Sequence, residues 1–199
     1  MRVGLFIPCY IDAFEPEVGV ATLQLLERFG CQVEYPFDQT CCGQPMTNTG
    51  CHAEARATEA LFVRNFSGYD YVVAPSGSCV HQVRENFTAI EQTEEARAVR
   101  ARTFELTEFL RDVLQVQDFP WAELPHKVAI HYNCNSLRGL GLAQALELNK
   151  PFYSKPLDLL RKVKGIEFAE LEGRASGEAG NVRASDASDE DQDRLLQGQ

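Results

Sequence analysis

The sequence predicts an α/β fold, a Rossmann-like parallel sheet with helices on both faces, followed by a disordered acidic tail. The chain has 199 residues, of which 44% are hydrophobic, and this is enough to bury a substantial core. Short apolar runs typical of strands alternate along the chain with longer segments of helical periodicity. This alternation is typical of parallel sheets that carry helices on their faces.

The start of the chain predicts two strands with a helix between them. Residues 3–8 form an apolar run typical of a strand, and residues 31–35 alternate apolar and polar side chains as a second strand does. Gly30 stands where a glycine commonly ends a helix. The apolar residues at helical spacing before it are Val18, Ala21, Leu25 and Phe29.

The middle of the chain predicts a loop over residues 36–50, an Ala-rich helix over 51–66 and a third strand over 69–74. Thr103 is expected to cap a later helix, because threonine is common at helix N-termini. The apolar residues at helical spacing in that helix are Leu106, Phe109, Leu110, Val113 and Leu114.

The last part of the chain divides into two regions. A fourth strand is predicted over residues 127–131, with a helix after it and a further strand over 166–171. Residues 173–199 hold six acidic residues, three arginines and almost no large apolar side chains, a composition typical of a disordered tail. We therefore expect a first half-domain over residues 1–125, a partial second half-domain over 126–172 and the acidic tail over 173–199.

Composition and charge exclude several classes of protein. A net charge of −10 argues against nucleic-acid binding, which requires clustered Lys and Arg. No apolar run approaches the roughly 20 residues of a membrane span, and the apolar start is too short for a signal peptide. We therefore expect a cytoplasmic protein without a membrane span. Seven Cys in a reducing compartment favour metal or redox chemistry over a disulfide framework.

Five of the seven Cys follow predicted strands. Since ligands of parallel α/β sheets bind beyond the carboxyl ends of the strands, these thiols are expected at one edge. They are Cys9, Cys41, Cys42, Cys79 and Cys134. Helices that begin after these loops would lower the thiol pKa values and favour the metal-binding thiolate. Cys31, at the start of a strand, is expected in the core, whereas Cys51 fits either a ligand or a small helical apolar residue.

Adjacent Cys41 and Cys42 cannot both bind one small ion without strain, so they suit a cluster in which each sulfur reaches a different iron. Zinc and a set of structural or redox thiols are the alternatives. The histidines fit other roles, with His131 structural and His52 and His126 on the surface. The pair Gly139 and Gly141 does not predict a dinucleotide site, because Gln144 occupies the position of the third glycine.

The spacing of Cys9, the Cys41-Cys42-Gly43 motif and Cys79 resembles the cysteine-rich CCG domain, and the flanking segments are most similar to the lactate utilization protein A family. These segments extend through most of residues 1–172. They are Phe6-Ile-Pro-Cys9, Tyr35-Pro, Gln39-Thr-Cys-Cys-Gly-Gln-Pro45, Gly68-Tyr-Asp-Tyr71, Val73-Ala-Pro-Ser-Gly-Ser-Cys79, Arg102-Thr-Phe-Glu-Leu106 and Pro125-His-Lys-Val128.

Two departures from the family pattern affect the expected site. Gln82 stands where the final Cys of a Cys-x-x-Cys pair would fall. A second Cys-Cys-Gly motif is expected near residue 175, where this sequence has no Cys, although His131 and Cys134 of its first segment are present. We therefore hypothesise a truncated or frame-altered relative whose second half-domain is replaced by unrelated sequence.

The resemblance implies one [4Fe–4S] cluster, or zinc as the alternative, bound by Cys9, Cys41, Cys42 and Cys79, with His81 and Cys134 as possible extra ligands. It implies an iron–sulfur electron-transfer subunit of a cytosolic oxidoreductase complex that oxidises L-lactate to pyruvate with other iron–sulfur subunits. The sequence contains no flavin or nicotinamide motif. The alternatives are a truncated, non-catalytic subunit and a zinc or thiol protein on the same fold.

Overall fold

A four-stranded parallel sheet forms the centre of the protein in the computed structural model, which describes residues 1–145 and 151–169. Its strands, in the spatial order β2-β1-β3-β4, are β1 Arg2–Leu5, β2 Gln32–Glu34, β3 Tyr71–Ala74 and β4 Thr103–Glu105. All pairs are parallel, and Val3 lies opposite Val33 and Tyr71. The predicted α/β class with a parallel sheet is confirmed, and β1, β2 and β3 overlap the apolar runs that indicated them.

Helices connect the strands and pack on the sheet. They are α1 Cys9–Phe14, α2 Pro16–Arg28, α3 Gln44–Asn48, α4 His52–Phe66, α5 Gly77–Asn86, α6 Glu94–Ala101, α7 Leu106–Glu108 and α8 Lys155–Leu160. Two five-residue segments have π-helical hydrogen bonding. They are Phe109–Val113, which continues α7, and Asn135–Gly139.

Side chains of the central strands alternate between two apolar cores. Val3 of β1 packs with Leu26 of α2 and with Phe109. Phe6, directly after β1, packs on the opposite face with Phe62 of α4. Because both faces of the sheet bury apolar side chains under helices, the sheet is covered on both sides, as the sequence predicts.

The end of α2 has the geometry that Gly30 predicts. Its φ of +79° lies in the left-handed region, which glycine adopts without steric cost. The amides of Gly30 and Cys31 donate to the carbonyls of Glu27 and Leu26 at 2.9 and 3.1 Å. These two bonds satisfy carbonyls that the last helical turn leaves open, so the helix ends here and the chain enters β2.

The predicted helix cap at Thr103 is wrong, because Thr103 is the first residue of β4. Its buried hydroxyl donates to the carbonyl of Val99 at 2.8 Å. The helix α7 begins at Leu106, directly after the last residue of β4. Glu105 caps this helix by accepting from the amides of Thr107 and Glu108 at 2.8 and 3.2 Å. A carboxylate at this position satisfies amides of the first turn as a threonine hydroxyl would.

The strands predicted near the end of the chain do form, but not in the main sheet. They are β5 Lys127–Val128 and β6 Glu167–Phe168, which pair with each other in a separate two-stranded parallel sheet. The expectation that residues 127–131 supply the fourth strand of the main sheet is therefore wrong. That position belongs to β4, which the sequence analysis assigned to a helix start.

An ionic cluster attaches α8 to α7. The ammonium of Lys155 donates to Oε1 of Glu108 at 2.9 Å and lies 2.7 Å from Oδ2 of Asp112. Arg84 of α5 donates to the other oxygen of Glu108 at 2.8 Å. Burial raises the pKa of Asp112, but hydrogen bonds from Lys155 and Arg111 outweigh it, and the net direction is downward. The cluster thus keeps the Asp112 carboxylate charged while it connects α5, α7 and α8.

Several expectations fall on residues that the structure does not describe. The acidic tail predicted for residues 173–199 lies outside the described residues, as do residues 146–150 and 170–172. Within the described residues, no helix combines the length and the apolar character needed to cross a membrane.

Candidate metal centre

Four thiols meet at the carboxyl edge of the main sheet. Cys9 opens α1, four residues after β1 ends. Cys41 and Cys42 lie in the connection after β2, directly before Gly43 and α3. Cys79 lies in the first turn of α5, which follows β3. The fold therefore brings cysteines from three separate connections to one side of the sheet, where parallel α/β proteins bind ligands.

The connection after β2 was predicted as a loop and contains the short helix α3. Gly43 precedes this helix with a φ of +82°, a left-handed conformation that glycine adopts most readily. The Gly43 amide also donates to the sulfur of Cys41 at 3.4 Å. The glycine therefore turns the chain sharply after the two cysteines and supplies one of the donors to their sulfurs.

The four sulfurs form a hydrogen-bonded row. The thiol of Cys42 is central, because it interacts with the sulfurs of both Cys41 and Cys79. Cys9 extends the row by a hydrogen bond with Cys41. Cys42 is buried at 2% exposure, Cys41 and Cys79 are half-buried, and Cys9 is exposed. One end of the row thus reaches solvent while its centre lies in the apolar core.

Protons alternate along the row. The hydrogen bond from Cys42 lowers the pKa of Cys41 to about 5, against the effect of burial and with further help from the Gly43 amide. The same Cys42 thiol lowers the pKa of Cys79 to about 7, again against burial, and the hydroxyls of Ser76 and Ser78 add to this effect. Cys41 is therefore a thiolate at neutral pH, and Cys79 is divided between the thiol and the thiolate.

The other two sulfurs hold their protons. Hydrogen bonds to Cys41 and Cys79, followed by burial, raise the pKa of Cys42 far above its usual range. Partial removal of its sulfur from solvent, followed by the hydrogen bond with Cys41, raises the pKa of Cys9 to about 11, and the charges of Cys41 and Cys79 act in the same direction. Above a pH of about 7 the row therefore holds two protons on four sulfurs, because neighbouring thiolates repel each other.

The donor set fits a positively charged, thiophilic group. Removing the two protons would place four negative sulfurs together, and residues 29–55, which carry two of them, contain no Lys or Arg. A bound metal centre supplies the missing positive charge and releases the protons. Cys9, Cys41, Cys42 and Cys79 would hold such a centre. Among residues 1–145 and 151–169, however, no three or more His, Cys, Asp or Glu side chains converge as the ligands of a single ion.

The other residues that the sequence singled out have different environments from the four sulfurs of the row. Cys134 is exposed, and its sulfur accepts from Arg138 at 3.6 Å rather than joining the row. The strand before Cys134 belongs to the separate two-stranded sheet, so that strand does not place Cys134 at the edge of the main sheet. His81 packs against Gly139, where an added Cβ would come within 2.3 Å of its ring. Cys31 is buried in the core, as predicted.

Cys51 and Gln82 are two further positions that the sequence singled out. Cys51 is exposed and directly precedes α4. Gln82, which stands in place of a cysteine, is buried at 1% exposure on α5, and its amide donates to the carbonyl of Asn86 at 3.5 Å. The position where the family pattern has a further sulfur is therefore filled by a side chain that bonds within its own helix.

Gln39 is a positioning residue that the sequence analysis did not identify. Its carbonyl oxygen accepts from the amide of Ile7 at 2.8 Å, and its amide donates to the carbonyls of Leu5 and Pro36, both at 3.0 Å. The side chain therefore continues the hydrogen bonding of β1 beyond its last residue. It holds the segment before Cys41 against the segment before Cys9.

Gln39→Leu is expected to lower the free energy of unfolding by about 2–3 kcal/mol, because it leaves the buried amide of Ile7 without its acceptor. It should also reduce metal content after reconstitution with iron and sulfide, since the two sulfur-bearing segments lose their connection. Chemical denaturation and iron assays measure the two effects. Gln24→Leu, at an exposed position of α2, is the matched control and should change neither. Equal stability of the two variants would contradict the role of Gln39.

Comparisons with known proteins give one family and a set of relatives. The CCG family, described as a cysteine-rich domain, matches residues 3–84. Lactate utilization protein A of Geobacillus kaustophilus is 44% identical over 175 residues, which are 86% of this chain and 69% of that protein. The proteins of the same name from Halalkalibacterium halodurans and Bacillus subtilis are 40% and 38% identical over 178 residues, 87% of this chain and 68% and 70% of theirs. No solved structure matches.

Proposed function

Because the chain belongs to the lactate utilization protein A family, we propose that it acts in lactate utilization as an iron–sulfur electron-transfer subunit. The proposed centre is one [4Fe–4S] cluster held by Cys9, Cys41, Cys42 and Cys79, and four thiolates are the usual ligands of such a cluster. A bound cluster accepts and releases single electrons. The proposed process is oxidation of L-lactate to pyruvate, in a cytoplasmic complex with other iron–sulfur subunits.

The observation that carries this proposal is the row of four sulfurs. Structural cysteines are commonly dispersed among core positions, as Cys31 is. The four sulfurs of the row instead come from three connections separated by more than thirty residues of sequence each, and each affects the ionisation of its neighbours. Thiolates arranged in this way can bind a metal centre, which explains why cysteines from three connections lie together.

The remaining residues of the site act on the sulfurs. The Gly43 amide donates to Cys41, and the hydroxyls of Ser76 and Ser78 interact with Cys79. Hydrogen bonds of this kind stabilise negative charge on sulfur and raise the reduction potential of a thiolate-bound cluster. Burial of Cys42 keeps water from the inner side of the centre, whereas Cys9 marks the side at which electrons can enter or leave.

Anaerobic purification of the full chain, followed by iron, acid-labile sulfide and zinc assays and a visible absorbance spectrum, tests the proposal. We expect about four irons and about four sulfides per chain, the composition of one cubane cluster, with an absorbance band that dithionite bleaches. The zinc content should be negligible.

Two outcomes would contradict the proposal in different ways. About one zinc per chain without a visible band would support the zinc or thiol protein on the same fold. A well-folded protein that takes up neither metal, even after reconstitution with iron and sulfide, would support a non-catalytic subunit of the lactate utilization system.

A further inference from the structure

Three aromatic side chains are exposed on two segments near Cys9, two of them on α1, which Cys9 opens, and one in the connection after β2. Tyr10 and Phe14 of α1 are 70% and 67% exposed, and Phe37 is 95% exposed. The rings of Tyr10 and Phe14 contact each other with centroids 4.8 Å apart, and Phe37 packs edge-on against Tyr35 at 5.7 Å. We call Tyr10, Phe14 and Phe37 the aromatic surface.

Two observations bring together the segments that carry the aromatic surface. Gln39, two residues after Phe37, bonds the amide of Ile7, two residues before Cys9. The connection that carries Phe37 is therefore held against the chain that enters α1. In addition, the pKa of Tyr35 is raised by burial and by the charge of Asp12, which places that α1 carboxylate near the phenol.

Acidic residues neighbour the members of the aromatic surface in the sequence. Asp12, Glu15, Glu17 and Asp38 are all exposed, and we call them the acidic rim. Residues 3–27 contain no Lys or Arg, and neither do residues 29–55. Arg64 approaches Asp38 at 3.5 Å, but both side chains are largely exposed, so solvent weakens this pair. The segments that carry the aromatic surface therefore combine exposed apolar rings with exposed negative charge.

This combination indicates a binding surface. Exposed aromatic groups rimmed by polar residues mark protein interaction sites, and aromatic side chains supply most of the contact energy in such sites. The uniform sign of the rim favours a partner of opposite charge, because complementary charges steer and orient association. A second copy of the same acidic face would be repelled.

We propose that the aromatic surface and the acidic rim dock a redox protein that presents an apolar patch ringed by Lys or Arg, directly over Cys9. This inference rests on the proposed function, because it takes Cys9 to be the exposed end of an electron-transfer centre. Docking there would bring the partner's redox group next to the solvent end of the sulfur row without any change in the buried part of the site.

The test uses the full, metal-free chain and reduced cytochrome c, a redox protein whose exposed haem edge is ringed by lysines. Binding is measured by calorimetric titration and by amide NMR shifts at ionic strengths of about 10 mM and about 150 mM, where screening lengths are about 30 Å and about 8 Å. We expect binding at low salt that weakens at least about tenfold at the higher salt, with the largest shifts at residues 10–14 and 37–38.

Two variants separate the apolar and the charged contributions. Tyr10→Ser/Phe14→Ser/Phe37→Ser should weaken binding at least about tenfold at both salt concentrations, since it removes the contact centre. Leu124→Ser, which removes another exposed apolar side chain, should not. Asp12→Asn/Asp38→Asn should weaken binding mainly at low salt, whereas Glu27→Gln/Glu54→Gln, which removes the same charge elsewhere, should have a smaller effect.

The rate of alkylation of Cys9 shows whether cytochrome c binds over that residue. Bound cytochrome c should slow iodoacetamide alkylation of Cys9 several-fold and leave the exposed Cys134 unaffected. The docking proposal would be overturned if cytochrome c did not bind, or if the aromatic variant bound it as tightly as the unaltered protein. It would also be overturned if bound cytochrome c left Cys9 unprotected, or if the chain associated with itself through the same residues in a salt-dependent way. Because these measurements need no cluster, docking without iron incorporation would overturn the proposed function and leave only a binding surface, whereas iron uptake without docking would overturn this inference alone.

Discussion

Cys42→Ala is expected to abolish cluster assembly, reducing iron from about four per chain to less than about one tenth of that value. Cys42 is the central sulfur of the row and interacts with both Cys41 and Cys79, so its loss removes a ligand and also the donor that stabilises its neighbours as thiolates. Iron and sulfide assays on anaerobically reconstituted protein measure the effect, and the visible absorbance band should disappear with the iron.

Cys31→Ala is the matched control for this loss. Cys31 is buried to nearly the same extent as Cys42, at 6% and 2% exposure, but it packs in the other core with Val3 and Leu26. Both substitutions remove one buried sulfur, and each should cost a similar, small free energy of unfolding. If both variants lost iron equally, general destabilisation would explain the result, and the sulfur row would lose its assigned role.

The sequence was sufficient to predict the fold where burial leaves a periodic pattern. The runs that became β1 and β3 are buried on both faces and hence almost continuously apolar. The sequence did not predict β4, and this failure has a physical cause. Three residues are too short for a periodicity, and buried Thr103 and Glu105 form hydrogen bonds to nearby backbone that are common at helix starts as well.

The candidate site was also predictable from the sequence only in part. Cys9, Cys41, Cys42 and Cys79 could be placed at one edge because parallel strands share a carboxyl end. Residues 127–131 were assigned to the wrong sheet because a sequence indicates that they are extended but not which strand they pair with. Gln39 was missed since a glutamine has no periodicity or spacing signal, and its role depends on three backbone groups that only the fold brings together.

The metal-free chain is expected to form two thiolates well below the pH at which ordinary cysteines ionise. The pKa values of Cys41 and Cys79 are lowered to about 5 and about 7 from the ordinary 9.0. The ultraviolet absorbance of thiolate should therefore rise in two steps with those midpoints, whereas Cys42 and Cys9 remain protonated until the solution is strongly alkaline. Titration of the folded protein under anaerobic conditions measures both steps.

The Cys42 thiol is the largest cause of both lowered pKa values, so Cys42→Ala should move both midpoints upward, toward 9.0. The sign follows because a hydrogen bond to the charged form lowers a pKa and its removal raises the pKa again. Cys31→Ala should leave both midpoints in place, since Cys31 lies outside the row. A single step near 9 in the unaltered protein, or midpoints that Cys42→Ala leaves unchanged, would show that the four sulfurs ionise independently, and the alternating arrangement of protons would then be wrong.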